Sequence, residues 1–474
     1  MFKVPAGYIL IKKEHYELLI QTIEELTNTV KQLTTRIEEL EGQKKKNSQN
    51  SHKPPSTDTF NKIIKNNREK GQKKQGAQKG HKGTTLQMTS NPDIIITHEV
   101  VGECSCGSDL NQAALINTIK QQVIDFPVKL IEVTEHQTEV RQCKCGKVHQ
   151  GEKLYQGNVQ YGERLKGFLI YANQYQLIPF ERLQELFEDC FGISISDGLI
   201  DQANEKCYNN LSETEQEIKQ GLVESDVIHN DETGIRCETI LKWIHSCSTK
   251  GLTHYNIQKK RGKEGMDNIG ILPNFKGNSV HDRFSSYDNY SNCKHSLCNS
   301  HLLRELKYVN EEVGRSWAGE MITLLVKANN AKKEDRIDES FQRVIENWYR
   351  HILSSAFREE PPIMLNADLK RKRGREAKPK SFLLMEAFRD RKEETLRFLY
   401  EPNVPFDNNL AERDIRMVKL KQKISGCFRT NHGAEVFCRI RSYISTVRKQ
   451  GYPVLDSICK AISGKPVQVI PALI

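Results

Sequence analysis

The sequence lacks several features that would place it in other classes of protein. No run of apolar residues approaches the ~20 residues that a membrane-spanning helix needs, so we expect no membrane partner. The N-terminal residues 1–7 contain no apolar signal-peptide core and are soon followed by charged residues, which predicts a cytoplasmic protein. The 13 cysteines are an odd number scattered along 474 residues, a pattern that favours reduced thiols and one metal site over a disulfide framework.

Acidic residues are fewer than basic ones, 61 against 71, and the basic excess is concentrated in patches. Residues 41–83 hold 12 Lys or Arg against 3 Asp or Glu. Such a segment cannot form a hydrophobic core, so we predict a flexible basic linker at residues 46–94. Its charge suits contacts to DNA phosphates, although a solvated linker explains the composition equally well. The lysines that we name as candidate DNA contacts are Lys73, Lys74, Lys79 and Lys82.

An unbroken heptad pattern runs through residues 16–40. Its apolar positions, spaced alternately four and three residues apart, are Leu19, Ile23, Leu26, Val30, Leu33, Ile37 and Leu40. A stripe this narrow is typical of a helix that is buried against a second helix. We therefore assign residues 1–45 to a coiled-coil helix that forms a homodimer or a higher oligomer. A helix packed on its own domain is the alternative.

Two Cys-x-Cys-Gly turns lie within residues 95–155. Cys104 and Cys106 form the first pair, and Cys143 and Cys145 form the second. The turns resemble the knuckles of a zinc ribbon and predict a structural Zn²⁺ held by four thiolates, which leaves no open position on the ion. Zinc knuckles usually have two residues between the cysteines, and here there is one. Free thiols are therefore the alternative, and His149 is a substitute ligand for a strained thiolate.

Residues 160–215 read as a helical region that resembles a helix-turn-helix. The first helix covers 180–191 and ends at Gly192, and a second one follows over 197–208, capped by Ser194 or Ser196. This arrangement suits insertion into a DNA groove. The second helix carries few basic residues, so a plain helical hairpin fits equally well.

Residues 222–290 alternate between strands and turns, which predicts a layered α/β core within a multidomain α+β protein. A short strand over 225–229 leads directly to Asp231 and a turn at Gly234. Further strands are predicted at 241–248, 252–258 and 278–283, the last of which ends with a second acid, Asp282. Residues 300–400 read as helical and charged.

Three acids have comparable settings in this pattern. If the first and fourth strands are neighbours, Asp231 and Asp282 emerge at one edge of the sheet, and Glu412 would arrive on a helix packed against that edge. Three carboxylates around divalent cations make a site for in-line attack on a phosphodiester, and hard oxygen ligands favour Mg²⁺ or Mn²⁺. The spacing alone is a moderate signal, because the chain has 61 acids. Glu232 is a rival to Asp231, and we favour the residue that directly follows the strand.

Four blocks of the sequence resemble the insertion sequence 66 family of DDE transposases. The blocks are His229-Asn230-Asp231-Glu232-Thr233-Gly234, Val280-His281-Asp282, Cys298-Asn299-Ser300-His301-Leu302-Leu303-Arg304-Glu305-Leu306, and Pro405-Phe406-Asp407-Asn408-Asn409-Leu410-Ala411-Glu412-Arg413. The resemblance implies an RNase H-like catalytic core at 220–450 with a mostly helical insertion at about 300–400, followed by a C-terminal tail at 451–474. It also maps the family's catalytic triad onto Asp231, Asp282 and Glu412.

The resemblance further implies a function and its partners. The expected activity is metal-dependent cleavage and strand transfer at the ends of an insertion sequence, with terminal repeats and target DNA as substrates. Accessory proteins encoded by the element and a place at the bacterial nucleoid are expected as well. A non-catalytic DNA-binding regulator and an RNase H-like nuclease without strand transfer are the alternatives.

Several neighbours of the triad carry weaker signals. Arg413, Arg416 and Lys419 are candidates for contacts to DNA phosphates, and ordinary exposed polar residues are the alternative. Cys298 and His301 stand three residues apart, a spacing that lets both face one way on a helix and bind a metal. We favour a structural role beside the active site for this pair.

Overall fold

The structure, a computed structural model, describes residues 12–45, 88–112, 114–126, 130–152, 158–360 and 378–470. The chain divides into two compact units. The larger unit contains residues 157–188 and 194–474 together with 1–60, and the smaller contains residues 61–156 and 189–193. The basic linker lysines at 73–82 lie outside the described residues.

The N-terminal segment forms one continuous helix, α1 (Lys13–Lys45). This confirms the helix that the heptad pattern predicts. The apolar seam residues whose side chains are described are between 50% and 61% exposed, namely Leu19, Ile23, Leu26, Val30 and Leu33. Because a single chain leaves this stripe in water, its pairing with a second helix stays a prediction.

The smaller unit contains few regular elements in its described part. Strand β1 (Val140–Gln142) pairs antiparallel with β2 (Val148–Gln150), and the second cysteine pair occupies the connection between them. The first cysteine pair is framed in a similar way by an isolated bridge between Glu103 and Asp109. Two short hairpin turns of the same kind therefore carry the cysteines.

Four helices precede the sheet of the larger unit: α2 (Glu163–Ile170), α3 (Phe180–Phe191), α4 (Asp197–Asn210) and α5 (Ser212–Val223). A π-helical turn over Tyr171–Tyr175 follows α2. The side chain of Ser196 accepts the backbone N–H of Leu199 and so caps α4, which confirms one of the two predicted caps. Both helices of the predicted helical hairpin are present.

The sheet of the larger unit has five strands. They are β3 (Val227–Cys237), β4 (Ile240–Ser248), β5 (Thr253–Gln258), β6 (Asn278–His281) and β7 (Lys294–Leu297), with helix α6 (Lys263–Ile269) between β5 and β6. Their spatial order is β5-β4-β3-β6-β7. The first three strands pair antiparallel, whereas β6 runs parallel to both β3 and β7.

Strand β3 is longer than the sequence predicts. The predicted turn at Gly234 is wrong, because β3 pairs with β4 as far as Cys237, and Gly234 lies opposite Trp243. The chain turns instead at Glu238 and Thr239, which both have positive φ. Asp231 therefore lies inside the strand rather than at its end.

A helical insertion separates Asp282 from Glu412, as the resemblance implies. Its helices are α7 (Asn299–Tyr308), α8 (Ser316–Lys333), α9 (Glu339–Glu359), α10 (Lys380–Asp390) and α11 (Lys392–Tyr400). They bury an apolar core around Trp317, Tyr349 and Phe388, which Leu297 of β7 also joins. The helices are therefore packed against the sheet. The sequence has a basic run at 370–375, which lies outside the described residues.

Three helices complete the larger unit: α12 (Asn409–Ser425), α13 (Asn431–Lys449) and α14 (Val454–Ile462). Ile458 and Ile462 of α14 share a buried cluster with Ile170 of α2 and Ala203 of α4. The segment predicted as a C-terminal tail thus contains a helix packed into the larger unit.

Helices cover both faces of the sheet. On one face, Ile415 and Val418 of α12 pack with Phe437 of α13 against Ile235 and Ile244 of the strands. On the other face, α5 and α6 pack with Ile228 in a second cluster. The fold is therefore mixed α+β. None of the helices within the described ranges combines the length and the apolar character that a membrane span requires.

Candidate active site

Asp231 lies within β3 and faces helix α12. Alternate residues of a strand share one face, and both His229 and Ile235 contact α12 or the residue just before it. Asp231 lies between them on that same face. Burial raises the pKa of Asp231 well above its usual value, and the charges of Glu232, Asp282 and Glu412 raise it further.

Asp282 directly follows the last residue of β6. The last pair between the parallel strands joins His229 to Val280, so Asp231 and Asp282 each lie two residues beyond it. The Oδ1 atom of Asp282 accepts the backbone N–H of Phe284 at 2.9 Å, which orients the carboxylate. The two aspartates therefore occupy equivalent positions on neighbouring strands, within electrostatic reach of each other.

Glu412 lies in the first turn of α12, where the helix dipole stabilises a negative charge. Its Oε1 atom is 3.5 Å from Nδ1 of His301 and 3.8 Å from Nη2 of Arg304, both on α7. Its Oε2 atom accepts a hydrogen bond from Arg416 at 3.4 Å. Its charge also raises the pKa of Asp231, so the three predicted acids interact electrostatically. Among the described residues they do not form a group of donor atoms within 4.8 Å of one another, so the shared cation site stays a prediction.

Asn408 ties the start of α12 to β3. Its carboxamide oxygen lies 2.9 Å from Nδ1 of His229, and its amide nitrogen donates to the carbonyl of Asn230 at 2.7 Å. Burial lowers the pKa of His229, so the neutral ring donates its N–H to Asn408. The backbone N–H of Asn408 donates to Sγ of Cys298 at 3.2 Å. These bonds fix the turn before Glu412 next to Asp231.

Asp414 fastens α12 to the antiparallel strands. One of its carboxylate oxygens, Oδ2, accepts hydrogen bonds from Ser248 at 2.7 Å and Thr253 at 3.2 Å, and Lys449 of α13 donates to it at 2.8 Å. A charged group that is this well paired is costly to disturb. The helix that carries Glu412 is therefore held rigidly over the sheet.

Glu232, the rival of Asp231, points to the opposite face of the sheet. Its carboxylate accepts hydrogen bonds from Tyr287 at 2.7 Å and from Arg261 at 2.9 Å. The guanidinium of Arg261 also stacks over Phe284, 4.0 Å from the ring centre. Glu232 thus has partners of its own and does not face α12.

The three basic residues predicted on α12 have different surroundings. Arg413 and Arg416 are exposed beside Glu412. The ammonium of Lys419 donates to the backbone carbonyl of Gly234 at 2.7 Å, and partial burial lowers its pKa. The Lys419 side chain therefore supports β3, whereas both arginines remain open to a ligand.

The two cysteine pairs of the smaller unit form equivalent turns. The N–H of Gly107 bonds the carbonyl of Cys104 at 2.7 Å, and that of Gly146 bonds the carbonyl of Cys143 at 2.8 Å. Both glycines have a φ near +87°, which disfavours any side chain. This conformation explains why Gly follows each pair.

The sulfurs of the two pairs do not converge. Hydrogen bonding with Ser108 lowers the pKa of Cys106 to about 7, and a hydrogen bond from the Cys145 backbone lowers the pKa of Cys143. Across the ranges that the structure describes, these sulfurs do not belong to a group of three or more donors within 4.8 Å of one another. The zinc site on these cysteines therefore stays a prediction.

The sequence alone assigns no catalytic role to the α7 residues that contact Glu412. His301 and Arg304 stand three residues apart, so both reach the same side of that helix. Both residues lie in the family block that begins at Cys298, and that block was the available signal. Their contact with Glu412 could not be predicted, because Glu412 lies 108 residues after Arg304 in the sequence.

Comparison with known families fits this geometry. The profile of the Transposase IS66 family matches residues 158–436, which is more than half of the chain, and the protein belongs to this family. It is therefore a transposase, and its family implies binding to DNA and dependence on a divalent metal. A family of unknown function (DUF6444) matches residues 9–87. Comparison with curated proteins gives no match.

Proposed function

We propose that this transposase cleaves DNA at the ends of its element and joins them to target DNA, with Asp231, Asp282 and Glu412 holding the catalytic cations. The observation that carries the proposal is the placement of these acids: Asp231 and Asp282 occupy equivalent positions on neighbouring strands, and Glu412 lies in the first turn of the helix that covers that face. Acids 51 and 130 residues apart in the sequence come within electrostatic reach. If these acids had a purely structural role, the repulsion between their negative charges would stay uncompensated.

We assign residues 220–450 to an RNase H-like core with the helical insertion at about 300–400. Support comes from the mixed sheet, in which three antiparallel strands are followed by two parallel ones. Asp231 lies on β3 and Asp282 directly follows β6, the two strands that pair in parallel. Glu412 returns to them on α12 after the insertion.

The donor set fits a hard divalent cation. All three side chains offer carboxylate oxygens, which Mg²⁺ and Mn²⁺ prefer, and a cation relieves the repulsion that raises the pKa of Asp231. When bound, such cations activate a water or a 3′-hydroxyl and stabilise the leaving oxygen of a phosphodiester. Asp231 must give up its proton to act as a ligand. Cleavage therefore increases as the pH rises through the pKa of Asp231.

Arg413 and Arg416 are the residues that we assign to DNA phosphates near the acids. Both are exposed on α12 within one turn of Glu412, and guanidinium groups bind phosphate in a bidentate manner. The ammonium of Lys419 donates a hydrogen bond to the backbone carbonyl of Gly234, so Lys419 supports strand β3. Lys73, Lys74, Lys79 and Lys82 of the basic linker add sequence-independent affinity.

The N-terminal parts of the chain are assigned to assembly and DNA binding. Residues 1–45 pair with those of a second copy through the exposed seam of α1. In residues 95–155, we assign Cys104, Cys106, Cys143 and Cys145 to a structural Zn²⁺. The lowered pKa values of Cys106 and Cys143 support this, because the thiolate is the ligand.

The test uses the full chain, Mg²⁺ and labelled DNA that carries the element ends. We expect Asp231→Asn to lower cleavage by at least about 100-fold and to keep DNA binding, because loss of even an outer-shell partner of a metal costs 10–100-fold. Glu232→Gln is the matched control, since it removes the adjacent carboxylate from the opposite face. That variant is expected to retain cleavage.

The outcomes separate the candidate activities. Joined products indicate strand transfer, whereas cleaved ends without joined products indicate a nuclease. Cleavage by Asp231→Asn at the wild-type rate would remove the proposed triad. An absence of products from the wild type with either Mg²⁺ or Mn²⁺ would favour a regulator without catalysis.

A further inference from the structure

A second set of metal donors adjoins the triad. One donor atom each of Cys298, His301 and Glu412 lie within 4.8 Å of one another, and within the described ranges they form the one such group of three or more. Cys298 immediately precedes α7, His301 lies in its first turn, and Glu412 lies in the first turn of α12. Two rigid helix starts therefore hold the three donors in place.

This donor set is open to an ion from one side. Cys298 and His301 line a cavity of about 210 Å³, together with Arg261 and Asp282. The cavity gives a path from solvent to the donors and room for a water molecule as a further ligand. A metal site needs both an access path and room for its ligands. Donor atoms that are buried without access could not bind an ion.

The donor types differ from those of the triad. A thiolate and an imidazole select ions such as Zn²⁺ and Co²⁺, whereas Mg²⁺ prefers ligands that are all oxygen. Three protein ligands and one open position are typical of zinc sites that exchange a water. Glu412 belongs to both sets, so one carboxylate faces two kinds of cation.

We propose that Cys298, His301 and Glu412 bind a thiophilic transition-metal ion of the Zn²⁺ class, and that this ion competes with the catalytic cation for Glu412. The second half of this statement rests on the proposed function, while the first half stands on the donor geometry alone. On binding, the Cys298 thiol releases its proton to solvent, and neutral His301 coordinates through a ring nitrogen.

The charged groups near the site determine how Glu412 passes from its arginine partners to the metal ion. Without an ion, Arg304 and Arg416 lie close to the Glu412 carboxylate. An ion that also binds the Cys298 thiolate brings two positive charges against one new negative charge. The positive charge of the ion then repels the arginines from Glu412. The Glu412 carboxylate is held by the metal ion and no longer by the guanidinium of Arg304 on α7. Zn²⁺ thus withdraws Glu412 from the two aspartates.

Cobalt binding to the full chain tests the site without any need for activity. With Co²⁺ and no Mg²⁺ or DNA, we expect the wild type to bind one more equivalent than Cys298→Ser. The thiolate-to-cobalt absorption of that equivalent should be lost in the variant, and His301→Asn should lose it too. Affinity should fall at least about 10-fold, because loss of an outer-shell partner alone costs that much.

A matched control separates the site from the other thiols. Cys207→Ser removes a buried thiol of α4 that is not part of the donor set, and it should keep the wild-type stoichiometry. The cysteine pairs of the smaller unit contribute equally to every variant and cancel in the difference. Equal cobalt content and identical spectra for the wild type, Cys298→Ser and His301→Asn would overturn the proposal.

Competition is measured on Mg²⁺-dependent cleavage, with each protein normalised to its own rate without zinc. Micromolar Zn²⁺ should inhibit the wild type, with higher Mg²⁺ relieving the inhibition, and Cys298→Ser should need at least about 10-fold more Zn²⁺. Equal inhibition of both proteins would overturn the competition. A wild type that does not cleave would refute the proposed function, and the cobalt result would still decide the site.

Discussion

At the scale of single residues, Asp231 couples the protonation of the site to folding. Burial and the charges of Glu232, Asp282 and Glu412 raise its pKa above the ~3.9 of an unfolded chain. The folded protein therefore binds this proton more tightly than the unfolded chain does. The stability that this proton contributes is fully present at pH values below the pKa of the unfolded state. It is lost as the pH rises through the pKa of the folded state.

We expect Asp231→Asn to raise the free energy of unfolding at pH 7 when divalent cations are absent, because asparagine carries no charge. The gain follows from the burial and the neighbouring charges that raise the pKa of Asp231. It should shrink as the pH falls towards and below the unfolded pKa, because the wild-type carboxyl becomes protonated in both states. Calorimetry in chelator between pH 4 and pH 7 measures it.

The control for this measurement is Asp201→Asn, which removes an exposed carboxylate from α4 and should change the stability by less than about 0.5 kcal/mol. Added Mg²⁺ should stabilise the wild type and leave Asp231→Asn almost unchanged. A variant less stable than the wild type at pH 7 would contradict the expected repulsion.

At the scale of elements, α12 depends on one buried carboxamide for its position. Asn408→Ala would leave the His229 ring and the Asn230 carbonyl without their partner. Each unsatisfied buried group costs about 1–3 kcal/mol, so we expect a loss of about 2–4 kcal/mol. Cleavage should fall as well, because the start of α12 sets the place of Glu412. Urea denaturation and the cleavage assay give the two values.

Asn409→Ala is the matched control for Asn408→Ala. Asn409 is exposed and its carboxamide bonds only locally, to Asp407 at 2.6 Å. Its loss should cost less than about 0.5 kcal/mol. If both variants behaved alike, the bonds of Asn408 to β3 would not be what positions the helix.

The cysteine turns carry a prediction at the same scale. We expect the full chain purified with zinc to lose one equivalent when Cys104 and Cys143 are both replaced by Ser, because each turn then keeps a single thiolate. Cys190→Ser, which removes an exposed thiol outside the pairs, should keep that equivalent. Metal analysis counts the zinc. An unchanged content in the double variant would favour free thiols.

The helices and strands also show how much of the fold can be predicted from the sequence. The helices at 180–191 and 197–208 follow from local pattern, as do β4, β5, β6 and the first part of β3, because each has its own caps or apolar run. Strand β7 was missed: Lys294-His295-Ser296-Leu297 has no clear alternation and becomes a strand only through parallel pairing with β6. Long-range pairing of this kind leaves no local trace.

The candidate active site also divides into features that the sequence predicts and features that depend on long-range contacts. The acids could be named from family blocks, but the placement of Asp231 within a longer β3 could not. The residues Asn230 and Glu232 look like the start of a turn in the sequence. They are buried because Ser279 and Tyr287 bond them, and both partners come from segments about 50 residues away.

At the scale of the whole molecule, assembly depends on the exposed seam of α1. We expect Ile23→Glu combined with Leu26→Glu to convert a dimer into a monomer, because charges cannot be buried between two helices. Light scattering measures the mass. Glu24→Lys with Glu25→Lys changes charge outside the seam and should leave the dimer intact. An unchanged mass for the seam variant would place self-association elsewhere.

The helical insertion has a consequence for the order in which the chain is made. Glu412 is translated 181 residues after Asp231, which takes about 10–35 s at ~5–20 residues per second. During that time the two aspartates and the strands that carry them already exist. With Asp231, Asp282 and Glu412 as the proposed triad, a nascent chain is unable to cut DNA until α12 emerges and docks. Under that proposal, catalytic competence appears in one late step of synthesis.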